Sequence, residues 1–264
     1  MISVMTFNIR FGLADDGMHS WEHRKAAVAS LLRQENPDFI AVQEVNDFQA
    51  DFLRERLPEY GSIGQRRPAA ARWQSNVILH RRGWKCLRED FFFLSRTPSV
   101  PSRFAGSRWP RQCIIGHFRR NRRHVICVNT HLDFDETVQI RSARLILERL
   151  QRFPAKEPAI LMGDFNATPD DLCYRVLTQE AENEESRPKA GFVNVFSPPY
   201  PGTYHEFSGK TGGEPIDWIL FRGPLRLRGA DVLTHRVEGK YPSDHFPVRA
   251  VFEMGDGERS AKSA

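Results

Sequence analysis

The chain carries Ala159-Ile160-Leu161-Met162-Gly163-Asp164-Phe165-Asn166, an apolar run that ends in short polar side chains. The run has the length and composition of a buried strand, so Asp164 and Asn166 are expected at the end of that strand. A second segment, Ser243-Asp244-His245-Phe246-Pro247, sets a carboxylate and an imidazole beside another apolar strand. Carboxylates and a histidine at strand ends are the groups that metal-assisted attack on a phosphate ester requires.

Other apolar runs along the chain also end in, or are followed by, single polar residues. The full set comprises Asn8, Glu44, His131, Asp164, Asn166, Asp217, Asp244 and His245. Strands of one sheet can bring such ends to one rim, where a site would be concave and accessible. The chain has neither a phosphate loop of the GxxxxGK type nor a GxSxG elbow, so the strand ends are the leading candidates for chemistry.

These residue types predict a division of roles around a phosphate ester. Mg²⁺ prefers oxygen ligands and binds through one or two carboxylates, which makes Glu44 the leading ligand, with Asn8 and Asp244 as helpers. Asp164 is suited to orient and deprotonate the attacking water, and Asn166 can hold that water or a phosphate oxygen.

The two histidines are expected at the phosphate. His245 would donate to the phosphate as charge develops there, with Asp217 behind it to fix its tautomer and raise its basicity. His131 would be a second phosphate donor. A single Asp or His at a strand end is most often structural, but Asp217 lies within an apolar strand, where an unpaired carboxylate is costly. The structural explanation would have to hold at all eight positions at once, so the set as a whole favours a functional site.

Periodicity predicts an α/β chain with hairpins and interspersed helices and no linker that would divide it. We expect one domain over residues 1–254 and a disordered tail over 255–264. The predicted helices are 21–34, 47–57, 137–150 and 170–178, and an exposed loop is expected at 183–189. The predicted strands are 2–9, 39–42, 76–80, 91–94, 113–118, 124–130, 159–162, 216–221, 230–236 and 246–252.

Composition limits the class of protein. The 264 residues have a formal net charge of +5, which is compatible with a polyanionic partner without requiring one. None of the four cysteines forms a CxxC pair, so neither a zinc site nor a disulfide framework is expected. No basic N-terminal region precedes the first apolar run and no run approaches the ~20 residues of a membrane span. We therefore expect a cytoplasmic protein, and a monomer.

The polar segments resemble, in order, the motifs of the endonuclease/exonuclease/phosphatase superfamily. The matching segments are Thr6-Phe7-Asn8-Ile9-Arg10, Val42-Gln43-Glu44-Val45, Asn129-Thr130-His131-Leu132, Gly163-Asp164-Phe165-Asn166, Ile216-Asp217-Trp218-Ile219 and Ser243-Asp244-His245-Phe246-Pro247. Any one of them is a weak signal, but all six in order are specific, and they cover residues 6–247.

The resemblance implies a four-layer α/β sandwich, in which helices flank two packed, mostly antiparallel sheets. It implies Mg²⁺ or Mn²⁺, with Asn8 and Glu44 at the metal and Asp244 in the metal or phosphate network. It also implies His131 at the phosphate, Asp164 and Asn166 at the nucleophilic water, and Asp217 with His245 beside the scissile phosphate.

Three further segments are similar to a bacterial subgroup of unassigned substrate. They are Phe93–Pro98, Pro110-Arg111 and Thr203-Tyr204-His205-Glu206-Phe207. The subgroup usually has Gly where this chain has Glu206. It also tends to have an acidic residue just before the strand at Val77–Leu79, where this chain reads Trp73-Gln74-Ser75-Asn76.

The nature of the phosphate ester is a separate question, because a fold hosts several substrates. Arg96, Arg103, Arg108 and Arg111 in the long loop before residue 112 could hold extra phosphates, and Trp109, Tyr204 and Phe207 could stack on bases. We name Arg108, Tyr204 and His205 as candidate substrate contacts. A phosphodiesterase acting on nucleic acid or a nucleotide-like diester is preferred. The alternatives are a phosphomonoesterase or lipid or inositol phosphate hydrolase, and a catalytically inactive binding module.

Overall fold

The computed structural model describes residues 1–65, 72–178 and 191–255. The loop expected at 183–189 lies outside these residues, as does the expected tail apart from Gly255. The helices are α1 Trp21–Glu35, α2 Asp47–Arg56, α3 Glu136–Leu150 and α4 Leu172–Thr178. The strands are β1 Ile2–Asn8, β2 Phe39–Val45, β3 Tyr60–Ile63, β4 Ser75–Arg81, β5 Lys85–Phe93, β6 Gln112–Arg120, β7 Arg123–His131, β8 Ala159–Asp164, β9 Val193–Asn194, β10 Asp217–Arg222, β11 Leu225–Val232 and β12 Val248–Met254.

The strands form two six-stranded sheets. The first sheet has the order β11-β12-β1-β2-β4-β3, and the second has the order β5-β6-β7-β8-β10-β9. Only the pairs β1/β2 and β7/β8 are parallel, and the other neighbouring strands in both sheets are antiparallel. The prediction of mostly antiparallel sheets is confirmed.

Three hydrophobic clusters separate four layers. One cluster lies between the sheets and joins residues such as Phe39 and Ile78 of the first sheet to Phe118 and Ile160 of the second. A second cluster packs α1 and α2 on the first sheet, and a third packs α3 and α4 on the second. The order helix, sheet, sheet, helix is the predicted four-layer sandwich. That residues 1–254 form one domain stays a prediction.

Edge strands account for most differences from the predicted elements. The structure has β11 at Leu225–Val232 instead of 230–236, because the alternating charged residues of an exposed edge strand leave little apolar pattern. For the same reason β5 is longer than the predicted run. The strands β3 and β9 were missed because they have only four and two residues, too few to show a periodic pattern. The last strand begins after Pro247, which lacks the N–H that a strand interior needs.

The site is positioned by strand ends that meet at one edge of both sheets. The parallel pair β1/β2 carries Asn8 and Glu44 at its carboxyl end, and β7/β8 carries His131 and Asp164 at its own. Because β10 runs antiparallel to β8, its first residue, Asp217, lies opposite Asp164. No helix in the described part of the chain is both long and apolar enough to span a membrane.

Candidate active site

Asp164 lies at the centre of the predicted site, at the end of β8, and is 1% exposed. Its Oδ2 accepts a hydrogen bond from Asn8 Nδ2 at 2.8 Å and lies 3.3 Å from His131 Nε2 and 3.9 Å from His245 Nε2. Its Oδ1 accepts from the backbone N–H of Asn166 at 3.0 Å. The structure therefore brings these five predicted residues together. Asn8 and the segment with His245, which leads into β12, come from the first sheet, and the other three residues come from the second.

Burial raises the pKa of Asp164 to about 7, and the neighbouring carboxylate of Asp217 adds to the effect. Both causes disfavour the charged form, which His245 and the Asn8 hydrogen bond partly stabilise. A carboxylate with this pKa can take up a proton near neutral pH, as a general base must.

Asp217 and His245 form a buried pair beside that carboxylate. His245 Nδ1 lies 2.8 Å from Asp217 Oδ2, so the ring donates from Nδ1 and leaves Nε2 on the side of Asp164. Burial lowers the pKa of His245, but Asp217, with smaller contributions from Asp164 and Asp244, more than offsets it, and the pKa is raised to about 10. The imidazole is therefore held protonated at neutral pH and can donate from Nε2.

His131 and Asn166, both uncharged, lie on the other side of Asp164. Asn166 Nδ2 lies 3.0 Å from His131 Nε2 and donates to the carbonyl oxygen of Leu132 at 3.0 Å. Burial, together with the nearby Arg111 and His245, lowers the pKa of His131 well below its ordinary value. Because a neutral imidazole has one N–H, its Nε2 either accepts from Asn166 or donates to Asp164.

Glu44 and Asn8 form the predicted metal end. Glu44 Oε2 accepts from the backbone N–H of Phe11 at 2.6 Å, and its Oε1 accepts from Asn8 Nδ2 at 3.2 Å. Glu44 and Arg10 both have left-handed backbones, with φ of 63° and 62°. Such conformations are uncommon for residues other than glycine and concentrate at functional sites. Here they turn the two chain segments so that the Glu44 carboxylate faces the cleft described below.

The donor set fits a hard divalent cation at Glu44 better than at the histidine. The side chains of Asp164, Asp217 and His245 also offer ligand atoms that lie within 4.8 Å of one another. However, the proton that Asp217 stabilises on His245 would have to leave before the ring could bind a metal. Within the described part of the chain, the Glu44 carboxylate accepts hydrogen bonds from two neutral N–H donors, and carboxylate oxygens of this kind suit a hard divalent cation.

Asp244 lies beside Arg10 in the structure. Its Oδ2 is 3.3 Å from a guanidinium nitrogen of Arg10, and its Oδ1 accepts from Ser243 Oγ at 3.0 Å. Arg10 also forms a two-point pair with Asp16, with both N–O distances at 2.9 Å. Asp244 therefore helps to hold Arg10 at the mouth of the site, and its role as a metal ligand stays a prediction.

The buried Arg24 joins the two loops that carry Arg10 and Asp244. Its guanidinium donates to the carbonyl oxygens of Ile9, Arg10 and Pro242. Burial lowers its pKa to about 10, so the charge is retained at neutral pH. Nothing in the sequence distinguished Arg24 from Arg33, the exposed arginine of the same helix.

The three predicted substrate contacts lie in different settings. The Tyr204 ring is 5.0 Å from the His245 ring, and its hydroxyl donates to Glu206 at 3.1 Å, so Tyr204 borders the site. His205 is buried, stacked on Phe246 with ring centroids 3.8 Å apart. Arg108 is exposed, and its guanidinium lies over the Phe134 ring at 5.5 Å. Their contacts with substrate stay predictions.

A cleft of about 490 Å³ opens beside Glu44 and His131. It is lined by Arg10, Phe11, Ala14, Glu44, Arg72, Trp73, Gln74, Asn76, Trp109, Pro110, Arg111, Gln112, His131 and Phe134. The sequence singled out four arginines in the long loop before residue 112. Of these four, Arg111 is the one that lines the cleft. It is 8% exposed, and its Nε lies 3.9 Å from Asp133 Oδ2 and has no hydrogen-bond partner among the described residues. The guanidinium also lies within electrostatic range of Glu44 and Asp164.

This fold and site define a class of hydrolases that act on phosphoesters. The sequence model of the Endonuclease/Exonuclease/phosphatase family matches residues 5–245, so the chain belongs to this family and the resemblance is confirmed.

Curated relatives and a solved structure agree with that assignment. The chain is 26% identical over 300 residues to Carbon catabolite repressor protein 4 homolog 4 of Arabidopsis thaliana, with 89% of this chain and 71% of the relative covered. It is 23% identical over 287 residues to a probable CCR4-Not complex 3'-5'-exoribonuclease subunit of Vairimorpha ceranae, with 92% and 60% covered. A solved mannosyl-6-phosphatase of Bacteroides thetaiotaomicron is 24% identical and superposes with a TM-score of 0.84, covering 96% of this chain and 100% of that one. This last likeness shows the fold.

Proposed function

We propose that this protein is a Mg²⁺- or Mn²⁺-dependent phosphoesterase that hydrolyses a phosphodiester of nucleic acid or of a nucleotide-like molecule. The observation that carries the proposal is the environment of Asp164. This buried carboxylate is held by Asn8 and the Asn166 backbone and lies between the imidazoles of His131 and His245. An isolated structural aspartate would not need two histidines within 4 Å.

In the proposed reaction, Asp164 accepts a proton from the attacking water through Oδ2, while the Asn166 N–H keeps Oδ1 in place. The pKa of about 7 matches this task, because a base works best when its pKa lies near the working pH. The Asn166 amide and His131 border the same space and can orient the water or a phosphate oxygen. The leaving oxygen departs from the opposite side of phosphorus.

His245 supplies positive charge where negative charge develops on the phosphate. Its protonated ring is fixed by Asp217, so donation from Nε2 needs no reorientation as the reaction proceeds. A divalent ion held by Glu44, with Asn8 beside it, would neutralise charge on the phosphate and on the leaving oxygen. Arg111, on the cleft side, adds a guanidinium for a further phosphate oxygen.

The cleft lining supports a substrate with planar groups on either side of a phosphate. Trp109 and Phe134 are 56% and 57% exposed, an unusual state for large aromatic side chains, and Trp73 lines the same cleft. Aromatic faces of this kind bind bases without sequence preference, and arginines bind the backbone. The relative from Vairimorpha ceranae is named as a 3'-5'-exoribonuclease, in agreement with this substrate class.

The proposal includes a cytoplasmic monomer. All four cysteines are free, and three of them are buried, as expected in a reducing compartment. Sedimentation at micromolar concentration tests the monomer, because a stable dimer would sediment at twice the mass of one chain.

The test is hydrolysis of bis-p-nitrophenyl phosphate and p-nitrophenyl phosphate, each with Mg²⁺, Mn²⁺ or EDTA. We expect metal-dependent cleavage of the diester. The turnover should be about 10²–10⁴-fold lower in Asp164→Asn and in His245→Ala. Asp170→Asn, which changes an exposed aspartate near the same strand, is the matched control and should retain activity.

The outcomes separate the alternatives. Cleavage of the monoester alone would replace the proposal with a phosphomonoesterase on phosphorylated metabolites or inositol phosphates. Cleavage of neither ester, with no Mg²⁺ binding by the folded protein, would indicate an inactive binding module. For an active diesterase, a steep loss of oligonucleotide affinity with salt would support a nucleic-acid substrate, because each phosphate contact releases counterions.

A further inference from the structure

A second group of metal-ligand side chains lies on the second sheet, away from the candidate active site. His117 Nε2 is 3.1 Å from His124 Nδ1, and His124 Nδ1 is 3.9 Å from Glu157 Oε1. One ligand atom from each of the three residues lies within 4.8 Å of the others. The proposed hydrolysis uses none of them.

The hairpin formed by β6 and β7 accounts for the histidine pair. In its register His117 is opposite Ile126 and Arg119 is opposite His124, so the two histidines are diagonal neighbours on the same face. A two-residue turn at Asn121-Arg122 fixes this register. Both histidines therefore lie on paired strands of a hairpin and not in a loop.

Glu157 reaches the pair from the segment that leads into β8. Its backbone N–H donates to the carbonyl oxygen of Pro154 at 3.1 Å, which closes a turn just before the strand. The next residue, Pro158, accepts from the backbone N–H of Ile126 at 2.8 Å. These two hydrogen bonds hold the Glu157 backbone against β7, so the Glu157 carboxylate lies close to the two histidines.

The cluster is remote from the catalytic carboxylate. His124 is near the start of β7 and His131 is at its end, and seven residues of strand span about 23 Å. Because seven is odd, the two side chains also project from opposite faces of the sheet. An ion at one site would therefore not share ligands with an ion at the other.

We propose that His117, His124 and Glu157 form a binding site for Zn²⁺, one without the cysteine ligands on which the sequence-based expectation of no zinc site rested. Two imidazoles and a carboxylate form a donor set that this ion accepts, and Zn–ligand bonds of about 2.0–2.1 Å place tetrahedral ligand atoms roughly 3.3 Å apart. The observed spacing of the two nitrogens is close to that value, and a small rotation of Glu157 would complete the set. Because the side chains of His124 and Glu157 are 28% and 29% exposed, solvent can provide the fourth ligand.

One nearby cation, that of Arg88, is engaged by groups outside the proposed site. Arg88 is opposite His117 in the register of β5 and β6. Its guanidinium donates to the carbonyl oxygen of Arg152 at 2.7 Å and lies 4.8 Å from the centroid of the Phe153 ring. A bound ion would join the β6–β7 hairpin to the segment between α3 and β8, and would stabilise the folded chain by mass action.

The test is calorimetric titration of the protein with ZnCl₂ in excess Mg²⁺, so that the hard-cation site at Glu44 is occupied. The wild type should bind one more equivalent of Zn²⁺ than His117→Gln/His124→Gln. His235→Gln, which changes an exposed histidine elsewhere, should bind as the wild type does. Zn²⁺ should also raise the Tm of the wild type more than that of the double variant.

Equal stoichiometry and affinity in the wild type and the double variant would overturn the proposal and leave a hydrogen-bonded histidine pair. If the double variant already has a lower Tm without metal, the Glu157→Gln variant, which keeps both imidazole rings, decides whether the site exists. Weakened Zn²⁺ binding by this variant supports the site, and unchanged binding rejects it. Diester hydrolysis with Mg²⁺ should be the same in all these variants, so the result does not depend on the proposed function.

Discussion

Asp164 and Asp217 are directly opposed in the register of two antiparallel strands, β8 and β10. Like charges placed across a strand pair destabilise a sheet, and both residues are almost fully buried. His245 relieves this conflict, since it binds Asp217 through Nδ1 and faces Asp164 through Nε2. The sheet thus gathers two carboxylates and one protonated imidazole, which together hold a single excess negative charge beside the proposed phosphate site.

Asp217→Asn should shift both limbs of the pH–rate profile to lower pH. Activity requires Asp164 without its proton and His245 with its proton. The rate of the wild type should therefore fall below a pH of about 7 and above a pH of about 10. Asp217 raises both pKa values, and its neutralisation lowers both. Measuring kcat/KM for diester hydrolysis between pH 5 and 11 checks this.

The Asp170→Asn variant serves as the control for that profile. An unchanged profile, or one in which the limbs move in opposite directions, would contradict the assigned roles of the pair. The limbs report the coupled group of three residues and not one residue each.

Glu44→Gln should raise the Mg²⁺ concentration for half-maximal rate by at least about ten-fold. Loss of a residue that merely hydrogen-bonds to a metal ligand already lowers metal affinity by about that factor, and loss of a ligand should cost at least as much. The amide can still accept from the Phe11 N–H, so the local backbone should be retained. Direct Mn²⁺ binding, followed by electron paramagnetic resonance, provides a readout independent of turnover. Glu55→Gln, on the exposed face of α2, should leave the metal requirement unaltered; the same requirement in both variants would place the ion elsewhere.

His205→Phe should change how stability depends on pH. Burial lowers the pKa of His205 to about 4, below its ordinary 6.5, and its Nδ1 accepts from the Gly209 N–H at 3.2 Å. The folded state thus favours the neutral ring. This contribution is complete above pH 6.5 and is lost as the pH falls towards 4.

Phenylalanine retains the stacking on Phe246 but leaves the Gly209 N–H without its acceptor, which costs about 1–3 kcal/mol if that group stays buried. The variant should therefore be less stable than the wild type at pH 7, and the difference should narrow towards pH 4. Urea unfolding at several pH values measures this difference. A gap that stays constant from pH 7 to pH 4 would show that His205 titrates normally.

The sequence singles out candidate site residues more readily than the contacts between them. Asn8, His131, Asp164 and Asp217 end or start an apolar strand, and Glu44 is one residue from the end of its strand, which is a local signal. That Asp164 faces Asp217 depends on a register between strands more than 50 residues apart, which no local pattern contains. Arg111 could not be chosen among the loop arginines, because only packing decides which of them is buried.

Two residues of the predicted motifs have a structural role that the sequence did not reveal. Gln43 Nε2 donates to Asn129 Oδ1 at 2.7 Å, and Asn129 Nδ2 donates to the carbonyl oxygens of Val42 and Val77. These buried bonds tie the second sheet to the first just below the site. Such residues neighbour the active side chains in sequence, so motif position alone does not separate the two roles.

Gly163→Ala should disturb the site without altering any of its side chains. A Cβ at this position would collide with the backbone carbonyl oxygen of Thr130 on β7. Because both groups are backbone, the parallel pair β7/β8 would have to separate locally, at a cost of roughly 1–3 kcal/mol, typical of overpacking. That separation would move Asp164 away from His131, and both the Tm and the turnover should fall. Gly212→Ala, where a Cβ would meet no atom within 4 Å, is the matched control and should change neither. Normal turnover in a folded Gly163→Ala variant would mean that the 3.3 Å spacing of His131 and Asp164 is not needed for catalysis.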